Sequence, residues 1–424
     1  MKKPLVMLLA GGGGTRLGVL VKQRAKPAVP FAGRYRIIDF ALTNVMHAQL
    51  PWVGVLTQYK PLSLMEHMGV GEAWNLQGRS RGVRILPPRT GEADSDWYQG
   101  TADAIWQNVD FMDSMAPERV VILSGDHIYR MDYRRMVEEH VERGAALSIA
   151  VMEVAPEDTS RFGMLWTDAR GRITRFEEKP KAADTRLASM GIYVFEYPAL
   201  VKALQDIVAT KQGNDFGAHI MPALLAGGNV YAHRFDGYWR DVGTVSSYFH
   251  ASMDCLDASS GLDLEGWEVC SRQETLRDGD MPPVRFGARA EVGKARLSAG
   301  CWIEGRVQGS VLSPGVQVGP GAVVEEAVLM DGAVIRPGAR VRRAILDKGV
   351  VVGAGAVLDG GRDEVTNKEY AKCQMDGMVV VGKGSRIPEG CRVGSNTVLE
   401  AGLQEADFPG DLPDGATLVR RAHP

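Results

Sequence analysis

Three six-residue stretches recur along the last third of the chain at a spacing of 17 residues: Val318-Gly319-Pro320-Gly321-Ala322-Val323, Ile335-Arg336-Pro337-Gly338-Ala339-Arg340 and Val352-Gly353-Ala354-Gly355-Ala356-Val357. Small or branched apolar residues also recur at sixes, at Ala322, Val328 and Val334. This is the hexapeptide pattern of a left-handed parallel β-helix, with about three hexads per coil. An ordinary glycine-rich β domain is the alternative, and the repeated register argues against it. Residues 359–378 interrupt the pattern; Val381-Gly382-Lys383-Gly384-Ser385 and Val393-Gly394-Ser395-Asn396-Thr397 resume it. The tail from Pro409 reads as irregular.

What precedes the repeats has a different character. Residues 259–283 are polar and end in Met281-Pro282-Pro283, a linker signature. The chain therefore divides into an α/β domain over 1–258, a linker over 259–283 and the β-helix over 284–424. A length of 424 residues suits two or three domains. A net charge of −3 gives no electrostatic footprint for nucleic acid. The cysteines, Cys255, Cys270, Cys301, Cys373 and Cys391, are odd in number and widely spaced, which favours free thiols in a reducing cytoplasm. Met1-Lys2-Lys3 before an apolar run mimics a signal peptide. The run is short and leads straight into Gly11–Gly14, so a strand is the better reading. No run approaches the 18 or more apolar residues of a membrane span.

The chemistry starts at that strand. Leu5–Leu9 is short enough for one buried strand. Ala10 and four glycines follow, then Thr15 and Arg16. Glycines let a ligand approach the backbone closely, and free N–H groups in such a turn form a concave anion site. Arg16 can fork two hydrogen bonds onto phosphate oxygens. Arg24 and Lys26 add two cations beside Pro27. Together these read as a polyphosphate cradle, with a flexible surface loop as the bland alternative. No Lys-Ser or Lys-Thr closes a P-loop, and no acidic residue stands where a dinucleotide fingerprint needs one.

Trp52–Thr57 reads as a second strand, and Gln58 at its carboxyl end is placed to meet a base. Residues 69–96 read as a long loop. Gly100-Thr101 opens a helix with a capping hydroxyl. Arg119–Ser124 is a strand ending in Gly125-Asp126. That carboxylate suits a divalent cation bridging phosphates, since Mg²⁺ takes one or two carboxylates and completes its shell with water and phosphate. Asp126 as a helix cap is the alternative, and His127 reads as structural. Phe176–Glu178 ends another strand; Lys179, before Pro180, is expected to be extended. Asn214–Gly217 precedes a helix.

GGGGTRL followed by RAKPAVPFAGRYRIIDF resembles the sugar-phosphate nucleotidylyltransferases and, within them, the bacterial ADP-glucose pyrophosphorylases. The resemblance continues at Thr57–Tyr59, Trp97–Asn108, Gly125–Tyr133, Phe162-Gly163, Glu177–Pro180, Ala188–Phe195, Asn214–Gly217 and Tyr238–Thr244, in family order over nearly the whole chain. It implies a Rossmann-like α/β nucleotidyltransferase domain joined to the β-helix. The implied reaction is ATP plus glucose 1-phosphate giving ADP-glucose and pyrophosphate, which supplies ADP-glucose for glycogen or other α-glucan synthesis.

On that resemblance Arg16, Lys26 and Asp126 are catalytic. The nucleotide is bound by Leu9, Ala10, Gly11, Gly12, Gly14, Thr15, Gln58, Gly100 and Thr101, with Gly100 against the base. Tyr98, Gly163, Glu178, Lys179, Ser189, Tyr193, Asp215 and Trp239 take glucose 1-phosphate; Lys179 meets its phosphate and Glu178 its hydroxyls. Asp126 and Asp241 hold Mg²⁺. A cytoplasmic homotetramer regulated by sugar phosphates is implied, with Arg24, Arg36, Lys383 and Arg386 as candidates for the activator. Gly13 departs from a usual basic residue, Leu17–Val21 from the common pattern, and Lys22-Gln23 from the activator-binding order. These bear on regulation, not catalysis. A sister enzyme using UTP, dTTP or GTP and a non-catalytic regulatory subunit remain as alternatives; RAKPAVPF and the retained Arg16, Lys26, Asp126, Lys179 and Asp241 argue against them. A β-helix acyltransferase leaves the glycine-rich first domain unexplained.

Overall fold

A computed structural model describes residues 2–89, 97–210, 213–272 and 281–420, apart from the side chains of 208–210. By its internal contacts the chain divides into two compact units. One comprises Met1–Gly12, Phe40–Pro61 and Met68–Gly237; the other comprises Gly13–Asp39, Leu62–His67 and Tyr238–Pro424.

The first unit is built on a nine-stranded mixed sheet. Its short apolar runs form the centre. Leu5–Leu9 lies parallel to Trp52–Leu56 and to Arg119–Ser124, with Val6 opposite Val53 and Val121. Val6, Met7, Leu8, Val53, Val55, Val121, Ile122 and Leu123 are all fully buried. Covering on both faces is what turns a parallel strand into a continuous apolar run. Leu187–Glu196 joins antiparallel to Arg119–Ser124, and the hairpin of Gly163–Thr167 with Ile173–Glu178 lies beyond it.

Residues 69–96, expected as a loop, contain the strand Gly82–Leu86, paired parallel to Trp52–Leu56 with Leu86 opposite Leu56. Trp74 within the same stretch is fully buried. A five-residue strand among glycines and arginines has little burial of its own; the ladder bonds of an existing sheet edge complete it. The rest of that expectation, residues 90–96, lies outside the described residues. The parallel strands thus end together at Leu9, Leu56, Leu86 and Ser124, the edge where ligands of open α/β sheets sit.

The second unit carries the stacked parallel coils. One ladder runs Trp302, Gln317, Val334, Val351, Arg386; a second runs Arg306, Val323, Arg340, Val357, Arg392; a third runs Val311, Val328, Ile345, Val380, Val398. Their inward neighbours, among them Ile303, Val318, Ile335, Val352 and Ile387, form one core. The step from Ile335 to Val352 is 17 residues and the next, to Ile387, is 35. The interruption at 359–378 therefore adds 35 − 17 = 18 residues to one coil without adding a rung. Thr417–Leu418 pairs with Val398–Leu399, so the tail ends in a strand.

Within the stretch read as a linker, Leu264–Trp267 is a short helix capped by Asp263, and both Leu264 and Trp267 are buried; residues 273–280 lie outside the described residues. All five cysteines are free. No helix among the described residues is long and apolar enough to cross a membrane.

Candidate active site

At the carboxyl edge of the sheet, Leu9 closes its strand and the Ala10 N–H bonds the Leu56 carbonyl at 2.9 Å. Gly11 lies against the Gln58 side chain, while Gly12 faces open space. Gln58 is engaged by its neighbour: the Tyr98 N–H donates to its Oε1 at 2.7 Å, and its Nε2 faces the Tyr98 carbonyl at 3.5 Å. The Tyr98 hydroxyl donates to the Leu86 carbonyl at 3.0 Å and accepts from Asn108 Nδ2 at 3.0 Å. Burial pushes the pKa of this phenol up, opposed by the Asn108 hydrogen bond. In this arrangement Tyr98 fastens the 97–101 segment to the sheet. Asn108 was not singled out from sequence; its one signal is a buried amide closing the apolar run of a helix.

A side chain at Gly100 meets protein. A Cβ there would lie 2.2 Å from the Asn214 carbonyl oxygen. That carbonyl accepts from Ala102 N at 2.9 Å and so caps the helix Thr101–Trp106. Thr101, expected to cap its own helix, instead accepts from Phe216 N and donates to Asp215, both at 3.1 Å. Gly100→Ala must shift one of the two backbones; about 1–3 kcal/mol of stability should be lost, measurable by urea unfolding.

Asp126 follows Gly125, whose N–H bonds the Leu9 carbonyl at 2.9 Å. Ser124 Oγ donates to the Asp126 carboxylate, and His127 Nε2 lies 3.5 Å from the same oxygen. The side chain of Asp126 remains about a third exposed, at 31%.

The residues expected around the sugar gather within this unit. Gly163 pairs with Glu178 across the hairpin. Glu178 Oε2 lies 2.9 Å from the Cβ position of Gly163 and 2.5 Å from that of Gly217, so both glycines leave room for the carboxylate. Lys179 Nζ pairs with Glu178 at 2.9 Å and is 63% exposed. Its backbone is not extended: φ is +46°. The Lys179 N–H bonds the Phe162 carbonyl at 3.1 Å, and this tertiary bond outweighs the local pre-proline preference. Ser189 Oγ accepts from Gly191 N at 3.3 Å. Burial pushes the Tyr193 phenol up to about 12. Its ring stacks on Phe216 at 5.8 Å. Asp215 Oδ1 accepts from the N–H groups of Gly217 and Ala218 and caps Phe216–Ile220.

The cationic residues belong to the second unit. Gly14, with φ +57°, precedes the kinked 3₁₀ segment Thr15–Val21 that carries Arg16. Lys26 is buried and its Nζ lies 3.3 Å from Asp241. A Cβ on Gly243 would lie 2.9 Å from Arg16 Nη2 and 2.8 Å from Asp241 Oδ1. Arg16, Lys26 and Asp241 therefore converge. Trp239, on the same short strand as Asp241, is buried.

The four activator candidates do not gather. Arg24 is sealed in an ion pair with Asp347 at 2.8 Å. Arg36 donates to the carbonyl and hydroxyl of Ser63, both at 2.9 Å. Lys383 and Arg386 are exposed on the β-helix. Arg36 instead lines a cleft of about 610 Å³ with Arg34, Arg296 and Lys348, which the other three candidates do not line.

Among the described residues no three His, Cys, Asp or Glu side chains gather as a metal cluster. The carboxylates of Asp126 and Asp241 nevertheless fit a hard cation that arrives with a nucleotide. Each offers oxygen ligands and keeps some exposure, and Mg²⁺ needs only one or two such groups.

Comparison with known proteins agrees with this arrangement. Residues 5–258 match the family described as nucleotidyl transferase, and residues 282–381 match the GlmU-like C-terminal hexapeptide family. Glucose-1-phosphate adenylyltransferase of Thermotoga neapolitana is 46% identical over 413 residues, covering 96% of each chain. The enzyme of that name from Lachnospira eligens is 45% identical over 428 residues, 99% of this chain and 98% of its own. That of Clostridium beijerinckii is 47% identical over 327 residues, 76% of this chain and 83% of its own. Match and coverage together place the chain in the nucleotidyl transferase family and, within it, among the glucose-1-phosphate adenylyltransferases.

Proposed function

We propose that this glucose-1-phosphate adenylyltransferase works by positioning and charge neutralisation alone. A phosphate oxygen of glucose 1-phosphate attacks the α-phosphorus of ATP. The new O–P bond forms as the bond to the β-phosphate oxygen breaks, and pyrophosphate leaves with that electron pair. The attacking oxygen is already ionised, so no general base is required. Both reactants are anions, and bringing them together is the main barrier.

The observation that carries this reading is the convergence of Arg16 and Lys26 on Asp241. Arg16 and the amides of Ala10–Gly14 hold the β- and γ-phosphates, with Lys26 beside them. Lys179 anchors the sugar phosphate, while Glu178, Ser189, Tyr193, Asp215, Gly163 and Trp239 shape the glucose pocket. Gln58 and Tyr98 set the position of Gly100 and Thr101 near the base. Asp126 and Asp241 would hold Mg²⁺, which when bound supplies positive charge to the phosphates. The division into a catalytic part over 1–258, a joining segment over 259–283 and a β-helix over 284–424 is the functional one.

An anionic effector of the sugar-phosphate kind binds where Arg34, Arg36, Arg296 and Lys348 line one cleft. Exposed sheet edges of the β-helix support a cytoplasmic homotetramer. The deciding assay is pyrophosphate release from glucose 1-phosphate with Mg²⁺ and ATP, UTP, dTTP or GTP, each with and without fructose 6-phosphate, fructose 1,6-bisphosphate and pyruvate. Release with ATP, stimulated by one of these anions, is expected. Release with another nucleotide alone would make this a sister enzyme, and none at all a regulatory subunit.

A further inference from the structure

The β-helix does not need residues 359–378. Ala344–Leu346 pairs directly with Val379–Val381, and Val351-Val352 with Arg386-Ile387, as though the insertion were absent. Yet the insertion is firmly built. Asn367 is 1% exposed; its Nδ2 donates to the carbonyls of Asn396 and Ala416 at 3.1 and 3.0 Å, and its Oδ1 accepts from the N–H groups of Glu369 and Tyr370. Asn396 donates to Asp363 at 2.7 Å and to the Val365 carbonyl at 3.0 Å, and accepts from Gly377 N at 2.8 Å. Buried amides with their bonding capacity filled fix one conformation.

This rigid piece meets the segment that carries Arg16. Gly18 kinks that segment at φ +57°, ψ −126°, and a Cβ there would stand 3.1 and 3.2 Å from the Tyr370 ring and 3.4 Å from Cys373 Sγ. The Cys373 thiol donates to the Thr15 carbonyl at 3.8 Å. The Tyr370 hydroxyl and Lys22 Nζ share Glu400 Oε1, at 3.0 and 2.8 Å. The segment is thus held at its start, its kink and its end. On its other side the insertion grips the chain just after Asp241: the Gln374 carbonyl accepts from Ser246 N at 3.0 Å, and Ser246 Oγ donates to Asp376.

We propose that the insertion is a brace for the phosphate-binding arm. Tyr370 and Cys373 are positioning residues that act through Arg16, and the same insertion fixes Asp241 through Ser246. The inference rests on the reading of Arg16 as a polyphosphate ligand. It gives the β-helix a part in the chemical step separate from assembly and from effector binding.

The test is a double-mutant cycle in the full-length protein, with KM for MgATP, KM for glucose 1-phosphate and KM for pyrophosphate in the reverse reaction as readouts. Tyr370→Ala should raise the ATP and pyrophosphate KM values about tenfold while leaving that for glucose 1-phosphate within about twofold. Tyr370→Phe, which keeps the ring against Gly18, should restore most of the loss. On an Arg16→Gln background Tyr370→Ala should change the ATP KM by less than about twofold, because it acts through a group already removed. Should Tyr370→Ala fold poorly, Gly18→Ala presses on the same contact from the other side and should give the same signature. A full tenfold effect on the Arg16→Gln background, or an equal rise for both substrates, overturns the brace. If Arg16→Gln itself leaves the ATP and pyrophosphate values unchanged, the failure lies in the assignment of Arg16, and the brace falls with it.

Discussion

Asp126→Asn lowers kcat for ADP-glucose formation by about a thousandfold or more and leaves the protein folded. The substitution keeps the shape of the side chain and an oxygen able to accept from Ser124 Oγ. What it removes is the negative charge, which a cation carried by a nucleotide requires and the fold does not. Asp126 lies at the end of its strand and is partly exposed, so its charge is not balanced inside a core. The thermal midpoint should stay within roughly 4 °C, the shift expected of about 1 kcal/mol or less. Pyrophosphate release under saturating substrates, with a thermal melt alongside, decides the matter. Turnover within tenfold of the parent would remove Asp126 from the metal site.

Lys179→Gln raises the KM for glucose 1-phosphate about a hundredfold and moves that for ATP by less than about threefold. The lysine is 63% exposed and its one ion pair, with Glu178, is of the surface kind, worth about 0–1 kcal/mol. Stability therefore changes little. A charge-assisted bond to a phosphate is worth about 1.5–3 kcal/mol, the upper end of which corresponds to roughly a hundredfold in affinity. Its left-handed backbone, fixed by the bond to Phe162, survives the substitution because glutamine has the same steric needs. Initial rates against each substrate in turn separate the two constants. Equal effects on both substrates would show that Lys179 serves the turn and not the sugar phosphate.

The β-helix was legible because its signal is repetitive. Val318, Ile335 and Val352 repeat one environment, and the ladders place them on successive rungs. The central strands were legible for a related reason: Leu5–Leu9 and Arg119–Ser124 have no polar face to confuse. Gly82–Leu86 was not, since its glycine and arginine resemble a loop until an edge is there to pair with. Lys179 followed the same logic, as a long-range hydrogen bond set a backbone that the following proline argued against. Tyr98 and Gln58 could be named from their motifs, but their partners could not. The bonds of Tyr98 to Leu86 and Asn108 depend on which strand lies beside it. The activator candidates failed to gather because charge alone was the guide, and Arg24 had a buried carboxylate waiting for it in Asp347.

The chain leaves the first compact unit after Gly12 and does not settle in it again until Phe40, and the partners of that excursion include residues as late as Glu400. Synthesis imposes an order on this. When the ribosome has just finished Gly237, the sheet and its sugar-binding residues are complete, but Arg16 and Lys26 still await the chain that fixes them. At about 5–20 residues per second, the remainder takes on the order of ten to thirty seconds. Through that interval the nascent chain holds a finished sugar pocket beside an unmoored cationic arm, so phosphate chemistry cannot begin on an unfinished protein.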